Sequence, residues 1–303
     1  MAILVDSETR VVVQGITGRQ GSFHARLMKE YGTKVVAGVS PGKGGQELWG
    51  IPVYDSVDEA VSAQAADTSA IYVPAPNALE AGLEALRAGI RLVVIITEGI
   101  PPLDTMRLIA YAKSAGARIL GPNCPGVISP GLCKVGIMPA EAFRPGSVGI
   151  ISRSGTLTYE IAWGMTQAGI GQSTVVGLGG DPVMGTSFVE VLSPMREDRD
   201  TNAVVIVGEI GGEDEERCAK FIADTSFDKP VVAYIAGRTA PSERRMGHAG
   251  AIISGGRGDY SSKVSALAEA GVRVVERPSQ VPSALEELTR DSLKRGFGSK
   301  RLR

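Results

Sequence analysis

The amino-acid sequence predicts an α/β protein built from two successive parallel-sheet domains. Three observations carry that prediction: a length of 303 residues, an alternation of short Val/Ile-rich runs with helix-period segments, and glycines that gather where those runs end. At roughly 150 residues per domain, the length leaves room for two units that each bury a core. The 39 glycines are about 13% of the chain, against roughly 7% on average. They follow no three-residue period, which excludes a collagen-like chain, and they stand where a backbone must turn sharply or approach a ligand closely.

In chain order, residues 10–14, 34–39, 69–73, 92–97 and 118–121 read as strands. They are nearly continuous in apolar residues, as expected of parallel strands covered on both faces. Helical spacing fills the gaps at 20–31, 56–65, 78–89 and 105–115, with Pro102 to Asp104 as a helix start. Repeated βα units imply right-handed crossovers and a Rossmann-like first domain over residues 1–128. Residues 129–146 hold prolines and glycines without periodicity and read as a linker. A second series places strands at 148–152, 174–178, 203–207, 231–236 and 273–276. Helices at 157–168, 188–196, 213–225, 261–270 and 283–294 alternate with them, which predicts a flavodoxin-like domain over 147–294. Residues 295–303 read as a basic, solvated tail.

Composition removes several function classes. The 32 Lys and Arg against 33 Asp and Glu leave a net charge of −1, no field to draw in nucleic acid or an anionic membrane. With 43% hydrophobic and 21% charged residues, the chain is globular rather than disordered. No apolar run approaches the roughly 20 residues that span a bilayer. Residues 1–5 read as a strand-like run without a basic segment or cleavage motif, so no signal or transit peptide is expected. Cys124, Cys133 and Cys218 are odd in number and form no CxxC, against a disulfide framework or zinc site. The two histidines lack metal-ligand spacing. A soluble cytoplasmic protein is expected.

The first strand runs into Gly15-Ile16-Thr17-Gly18-Arg19-Gln20-Gly21 and then a helix. Such a turn exposes backbone N–H groups at a helix start and suits a diphosphate, although it also serves as a purely structural turn. The spacing is G-x-x-G-x-x-G rather than the dinucleotide G-x-G-x-x-G, and the acid expected about 20 residues on is missing. The second strand is followed instead by Lys43, which suits a phosphate and disfavours NAD. Ile96-Thr97-Glu98 and Gly121-Pro122-Asn123-Cys124 follow later strands, where open α/β sheets bind ligands or simply close βα units.

In the second domain Ser152-Arg153-Ser154-Gly155-Thr156 passes from strand to helix. An N-cap needs one hydroxyl, and the surplus fits a phosphate or phosphoryl group. His248 lies in a basic loop between Gly247 and Ala249, sterically open. It reads as a structural residue or as a nucleophile towards phosphorus, since neutral imidazole attacks phosphorus near neutral pH. A carboxylate on the far ring nitrogen would stabilise the developing charge, and Glu209 at another strand end supplies one unless it is an ordinary loop acid. His24, inside the first helix, is given no role.

Taken in order, Gly121-Pro122-Asn123-Cys124-Pro125-Gly126, Ser152 to Tyr159, Gly208-Glu209-Ile210-Gly211-Gly212 and Arg245 to Ala251 resemble the α subunit of succinyl-CoA synthetase (succinate–CoA ligase). The likeness runs from Ile3 to about Leu288. It implies that Thr17, Gly18, Arg19 and Gln20, with Lys43 nearby, hold the coenzyme A phosphates, and that Ile96, Thr97 and Glu98 line the same site. It further implies that His248 is a transient phosphohistidine oriented by Glu209, that Ser154 and Gly155 cradle the phosphoryl group, and that Tyr159 lies near the substrate. Arg19 falls in a loop that varies in the family. Pro241-Ser242-Glu243-Arg244-Arg245 departs from the commoner Pro-Lys-Gly-Lys-Arg and loses a lysine.

The implied reaction converts succinyl-CoA and phosphate to succinyl phosphate and CoA, then passes the phosphoryl group through His248 to ADP or GDP. No G-x-x-x-x-G-K-[ST] P-loop occurs in the chain. The resemblance therefore implies a β subunit of ATP-grasp fold that brings nucleotide and Mg²⁺, in a heterodimer or heterotetramer. Related ligases of malate, citrate or acetate share these motifs, and a non-enzymatic CoA-binding regulator would need only the first domain.

Overall fold

The computed structural model describes residues 3–255 and 258–294; the basic tail expected at 295–303 lies outside them. The first sheet holds β1 (Arg10–Gln14), β2 (Lys34–Val39), β3 (Glu47–Leu48), β4 (Ile51–Tyr54), β5 (Thr68–Ile71), β6 (Leu92–Ile95) and β7 (Arg118–Leu120). β3 pairs antiparallel with β4, and the other six run parallel in the order β4-β2-β1-β5-β6-β7. Counting parallel strands alone, this is third-second-first-fourth-fifth-sixth, the Rossmann order, which reverses direction between β1 and β5. Helices α1 (Arg19–Glu30), α2 (Val57–Gln64), α3 (Ala75–Arg87) and α4 (Pro102–Ser114) make the crossovers. Every residue of β5 and β6 is buried, which is why these strands lack alternation.

α3 starts three residues before the periodicity predicts, and α4 does so at the Pro102 start expected above. Each has proline in its first turn, where a missing N–H costs nothing. The pair β3–β4 escapes sequence reading because Gly50 and Pro52 interrupt it and β3 is only two residues long. Residues 3–5 do not form the expected strand. Leu4 has a φ of 73°, outside the extended region, and the segment crosses to the second sheet, where Ser129 Oγ donates to Val5 O at 2.9 Å.

The second sheet comprises β8 (Gly126–Ser129), β9 (Cys133–Gly136), β10 (Pro145–Ser152), β11 (Gln172–Gly177), β12 (Ala203–Glu209), β13 (Val231–Ala236) and β14 (Arg273–Val275), in the order β14-β13-β12-β10-β11-β8-β9. β10 to β14 are parallel, fifth-fourth-third-first-second in chain order, the flavodoxin arrangement. Its direction reverses between β10 and β12. Between β10 and β14 lie α5 (Gly155–Gln167), α6 (Phe188–Glu197), α7 (Asp214–Asp224) and α8 (Tyr260–Glu269), and α9 (Val281–Lys294) follows β14. α6 opens on a capping box in which Ser187 and Glu190 satisfy each other's backbone N–H groups. Among the described residues no helix is long and apolar enough to cross a membrane.

Residues 129–146 are not the irregular linker expected from composition. β9 pairs antiparallel with β8, and β8 with β11, so the hairpin extends the second sheet, and all eight of its strand residues are buried. Strands of four residues are too short to show a period. The glycines that imitate a linker serve close packing instead: a Cβ on Gly136, which has φ +122°, would come within 2.4 Å of Pro125 O. The hairpin also staples the two sheets, because Thr33 Oγ1 donates to Lys134 O at 2.8 Å and accepts from Lys134 N at 2.9 Å. Lys134 is 2% exposed. Limited trypsin digestion, read by mass spectrometry, should therefore leave the Lys134–Val135 bond intact until the protein unfolds globally, whereas a true linker would be cut there early.

Candidate active site

The turns that follow β10 and β12 meet where the second sheet reverses direction, the place where open α/β sheets bind ligands. After β10, Ser154 caps α5 by accepting from Leu157 N at 3.3 Å. Its backbone is held as well: Ser154 N donates to Ser152 Oγ at 3.1 Å, and Thr158 Oγ1 donates to Ser154 O. The cap positions the first turn of α5, whose leading N–H groups have no partner within the helix. Tyr159 lies one turn on, its hydroxyl 3.6 Å from where a Gly155 Cβ would stand, and burial pushes its phenol up.

β12 ends at Glu209, which is 6% exposed, and its Oε2 lies 2.8 Å from Nδ1 of His248. The two residues are 39 apart in sequence and meet because the loop after β13 folds back over the sheet. The hydrogen bond to Glu209 raises the pKa of His248 above its ordinary value; burial and the Arg153 charge oppose this, while Asp181 adds to it. With Nδ1 occupied, Nε2 is the nitrogen left for chemistry. Close approach of the ring depends on Gly180, whose Cβ would fall 2.4 Å from His248 Cγ. Gly250 N donates to Gly180 O at 2.9 Å and fastens the histidine loop to the turn after β11.

His248 opens on a cleft of about 700 Å³ that both domains line. Glu98 and Pro101 come from the first domain, Asn123 from the turn joining the two sheets, Asp181 from the turn after β11, and Arg245 from the histidine loop itself. Asn123 ties the halves together: its N–H donates to Thr97 O at 2.9 Å and its side-chain amide to Asp181 Oδ1 at 3.0 Å. The structure thus brings Glu98 to His248. Ile96 sits just past β6, where its N–H donates to Ile71 O at 3.1 Å.

Thr17, Gly18, Arg19 and Gln20 form an exposed turn into α1, at the same edge of the first sheet. Ser40 links that turn to Lys43, since Thr17 Oγ1 donates to Ser40 Oγ at 2.9 Å and Lys43 N to Ser40 O at 3.0 Å. Gly21 is obligatory, because a Cβ there would meet Gly15 O at 2.1 Å. These residues and Lys43 do not line the cleft at His248, and neither do Ser154, Gly155 and Tyr159. Cys124 is a packed thiol that donates to Ile95 O at 3.3 Å and is pushed up to about 12 by burial. His24 stacks on Tyr72 and is pushed down to about 4 by burial.

Sequence reading passed over Arg153, Asp181, Asn123 and Gly180. Arg153 and Asn123 lay inside motifs already singled out; Asp181 and Gly180 carried only the signal of a Gly-Gly-Asp turn past a strand.

Because His248 is raised, its imidazolium contributes stability that is full below the ordinary value of about 6.5 and fades as pH rises through the higher folded-state value. Glu209→Gln should lower the NMR titration midpoint of His248 and flatten the pH dependence of unfolding in that window. Gly180→Ala should do the same by displacing the ring, and an unchanged midpoint would count against the geometry described.

A CoA binding domain model matches residues 6–99 and a CoA-ligase model residues 151–273. The chain is 59% identical over 288 residues to the succinate–CoA ligase [ADP-forming] subunit alpha 2 of Archaeoglobus fulgidus, a match that covers 95% of this chain and all of that protein. It is 55% identical over 290 residues to the corresponding α subunit of Aquifex aeolicus, with 95% of each chain covered. In fold it matches the ATP citrate lyase of Methanothrix soehngenii, solved with citrate and coenzyme A, at a TM-score of 0.90 and 23% identity, over 99% of this chain and 52% of that one. The two domain models, together with identities of this size over nearly the full length, place the chain in the family of succinate–CoA ligase α subunits.

Proposed function

We propose that the chain is the coenzyme A-binding subunit of a succinate–CoA ligase and that His248 carries the phosphoryl group between its two half-reactions. The observation that carries this reading is the contact between Glu209 and Nδ1 of His248, at the mouth of a cleft shared with Glu98 of the first domain. A carboxylate on one ring nitrogen holds the tautomer and balances the positive charge that develops when the other attacks. Nε2 would attack the phosphorus of succinyl phosphate, the P–O bond to the acyl oxygen would break, and succinate would leave as a carboxylate. ADP or GDP would then take the phosphoryl group from Nε2 and restore the neutral imidazole.

Thr17, Gly18, Arg19 and Gln20 would hold the CoA phosphates with Lys43, and Ile96, Thr97 and Glu98 would line the thiol-bearing arm's route to the cleft. All eight fall within the matched CoA binding domain. Ser154 and Gly155 would receive the phosphoryl group at the start of α5, where helix N–H groups favour negative charge, and Tyr159 would contact the acid. A β subunit of ATP-grasp fold would hold the nucleotide and Mg²⁺, and the complex would work in the cytoplasm.

Incubation with radiolabelled ATP and the β subunit tests the reading. Acid-labile, base-stable label should appear on the wild-type chain and be absent from His248→Asn; equal label on both would refute it. Ser154→Ala should slow labelling about fivefold, the effect of losing roughly 1 kcal/mol of cap and phosphate positioning. Succinate should outrun malate, citrate and acetate as the acid consumed.

A further inference from the structure

Arg153 has no part in the chemistry proposed above, yet it touches the turns that converge on His248. It is 3% exposed. Its Nη1 donates to Gly211 O at 3.4 Å, just past β12, and its Nη2 to Asp181 O at 3.3 Å, past β11. Nη2 also occupies the space beside Gly250 of the histidine loop, where a Cβ would come within 2.7 Å. The remaining nitrogen, Nε, stands 3.6 Å from Glu209 Oε1, and neither atom has a hydrogen-bond partner among the described residues.

Glu209 is therefore held from two sides. Its backbone N–H donates to Glu215 Oε1 at 3.1 Å, and Glu215 pairs with Lys263, a fully buried lysine whose Nζ also donates to Gly212 O at 3.0 Å. That pair anchors the main chain. Of the carboxylate's two oxygens, Oε2 faces His248, and Oε1 faces Arg153. A buried guanidinium is costly unless its neighbours satisfy it, and here the neighbours are two backbone carbonyls and the carboxylate that orients the histidine.

We propose that Arg153 is a positioning residue: it keeps the Glu209 carboxylate turned so that Oε2 meets Nδ1 of His248, leaving Nε2 directed outward. Its catalytic consequence rests on the phosphohistidine reading, whereas the coupling between Arg153, Glu209 and His248 does not. The charged groups facing the imidazole are Glu209, Arg153 and Asp181 from neighbouring turns, with Glu98 and Arg245 in the shared cleft. The Arg153 charge repels an imidazolium directly while orienting the carboxylate that attracts it. The diagnostic quantity is accordingly the coupling between positions 153 and 209, not the sign of one shift.

The full chain labelled with [¹³Cε1]-histidine has only two histidines, His24 and His248, whose signals His248→Asn tells apart. The titration midpoint of His248 is measured in wild type, Glu209→Gln, Arg153→Met and the double variant. Glu209→Gln should shift the midpoint in the Arg153→Met background by less than about half of its shift in wild type, the signature of interacting sites. Arg153→Lys, which keeps the charge and loses the fork, should fall between, and carries the same comparison if Arg153→Met fails to fold by circular dichroism. In the complex with the β subunit, Arg153→Met should lower kcat up to about 10²-fold through misplacement of the imidazole, with KM for CoA little changed. Equal shifts in both backgrounds would overturn the proposal. Strong coupling in a chain that never takes up phosphate would uphold the positioning and remove the phosphoryl role instead.

Discussion

The site depends on one short hydrogen bond between a buried carboxylate and an imidazole that chain order keeps far apart, Glu209 to His248 at 2.8 Å. A free imidazole exchanges tautomers and rotates, so either nitrogen could meet a ligand. Once Nδ1 is engaged, a single nitrogen remains, and its direction is set by the ring plane. The surrounding structure pays for this with exceptions to ordinary packing: a carboxylate at 6% exposure, an arginine at 3%, and a glycine where any side chain would collide with the ring.

Both sheets present their ligand-facing turns at the carboxyl ends of their strands, each at or beside a reversal of strand order. What makes one site of two domains is the segment between them. The β8–β9 hairpin joins the second sheet and is bonded back to Thr33 of the first domain. Asn123 bridges Thr97 and Asp181. Glu98 and His248 share a cleft because these connections are short and hydrogen-bonded.

The buried charges of the second domain form a graded series. Lys263 and Glu215 are fully buried and fix backbone; Arg153 and Glu209 are nearly so and fix a side chain; His248 is half-buried and meets the cleft. Burial pushes Glu215 up despite its lysine partner, the mark of a pair whose desolvation is large beside its attraction. Rigidity is thus concentrated behind the imidazole, and access is left in front of it.

The sequence by itself determined the parallel strands and their crossover helices, the two-domain α/β plan and the residue types at the strand ends, because parallel strands covered on both faces need uninterrupted apolar runs and sharp turns need glycine. It also marked His248, Glu209, Ser154 and the Thr17 to Gln20 turn, whose chemistry is local. Tertiary structure alone decided that residues 126–136 form a hairpin reaching into the expected linker, because strand pairing leaves no period in four-residue runs, and that Gly180, Asp181 and Arg153 converge on the histidine. Those contacts join segments dozens of residues apart, and a linear pattern carries no record of which turns a sheet reversal will bring together.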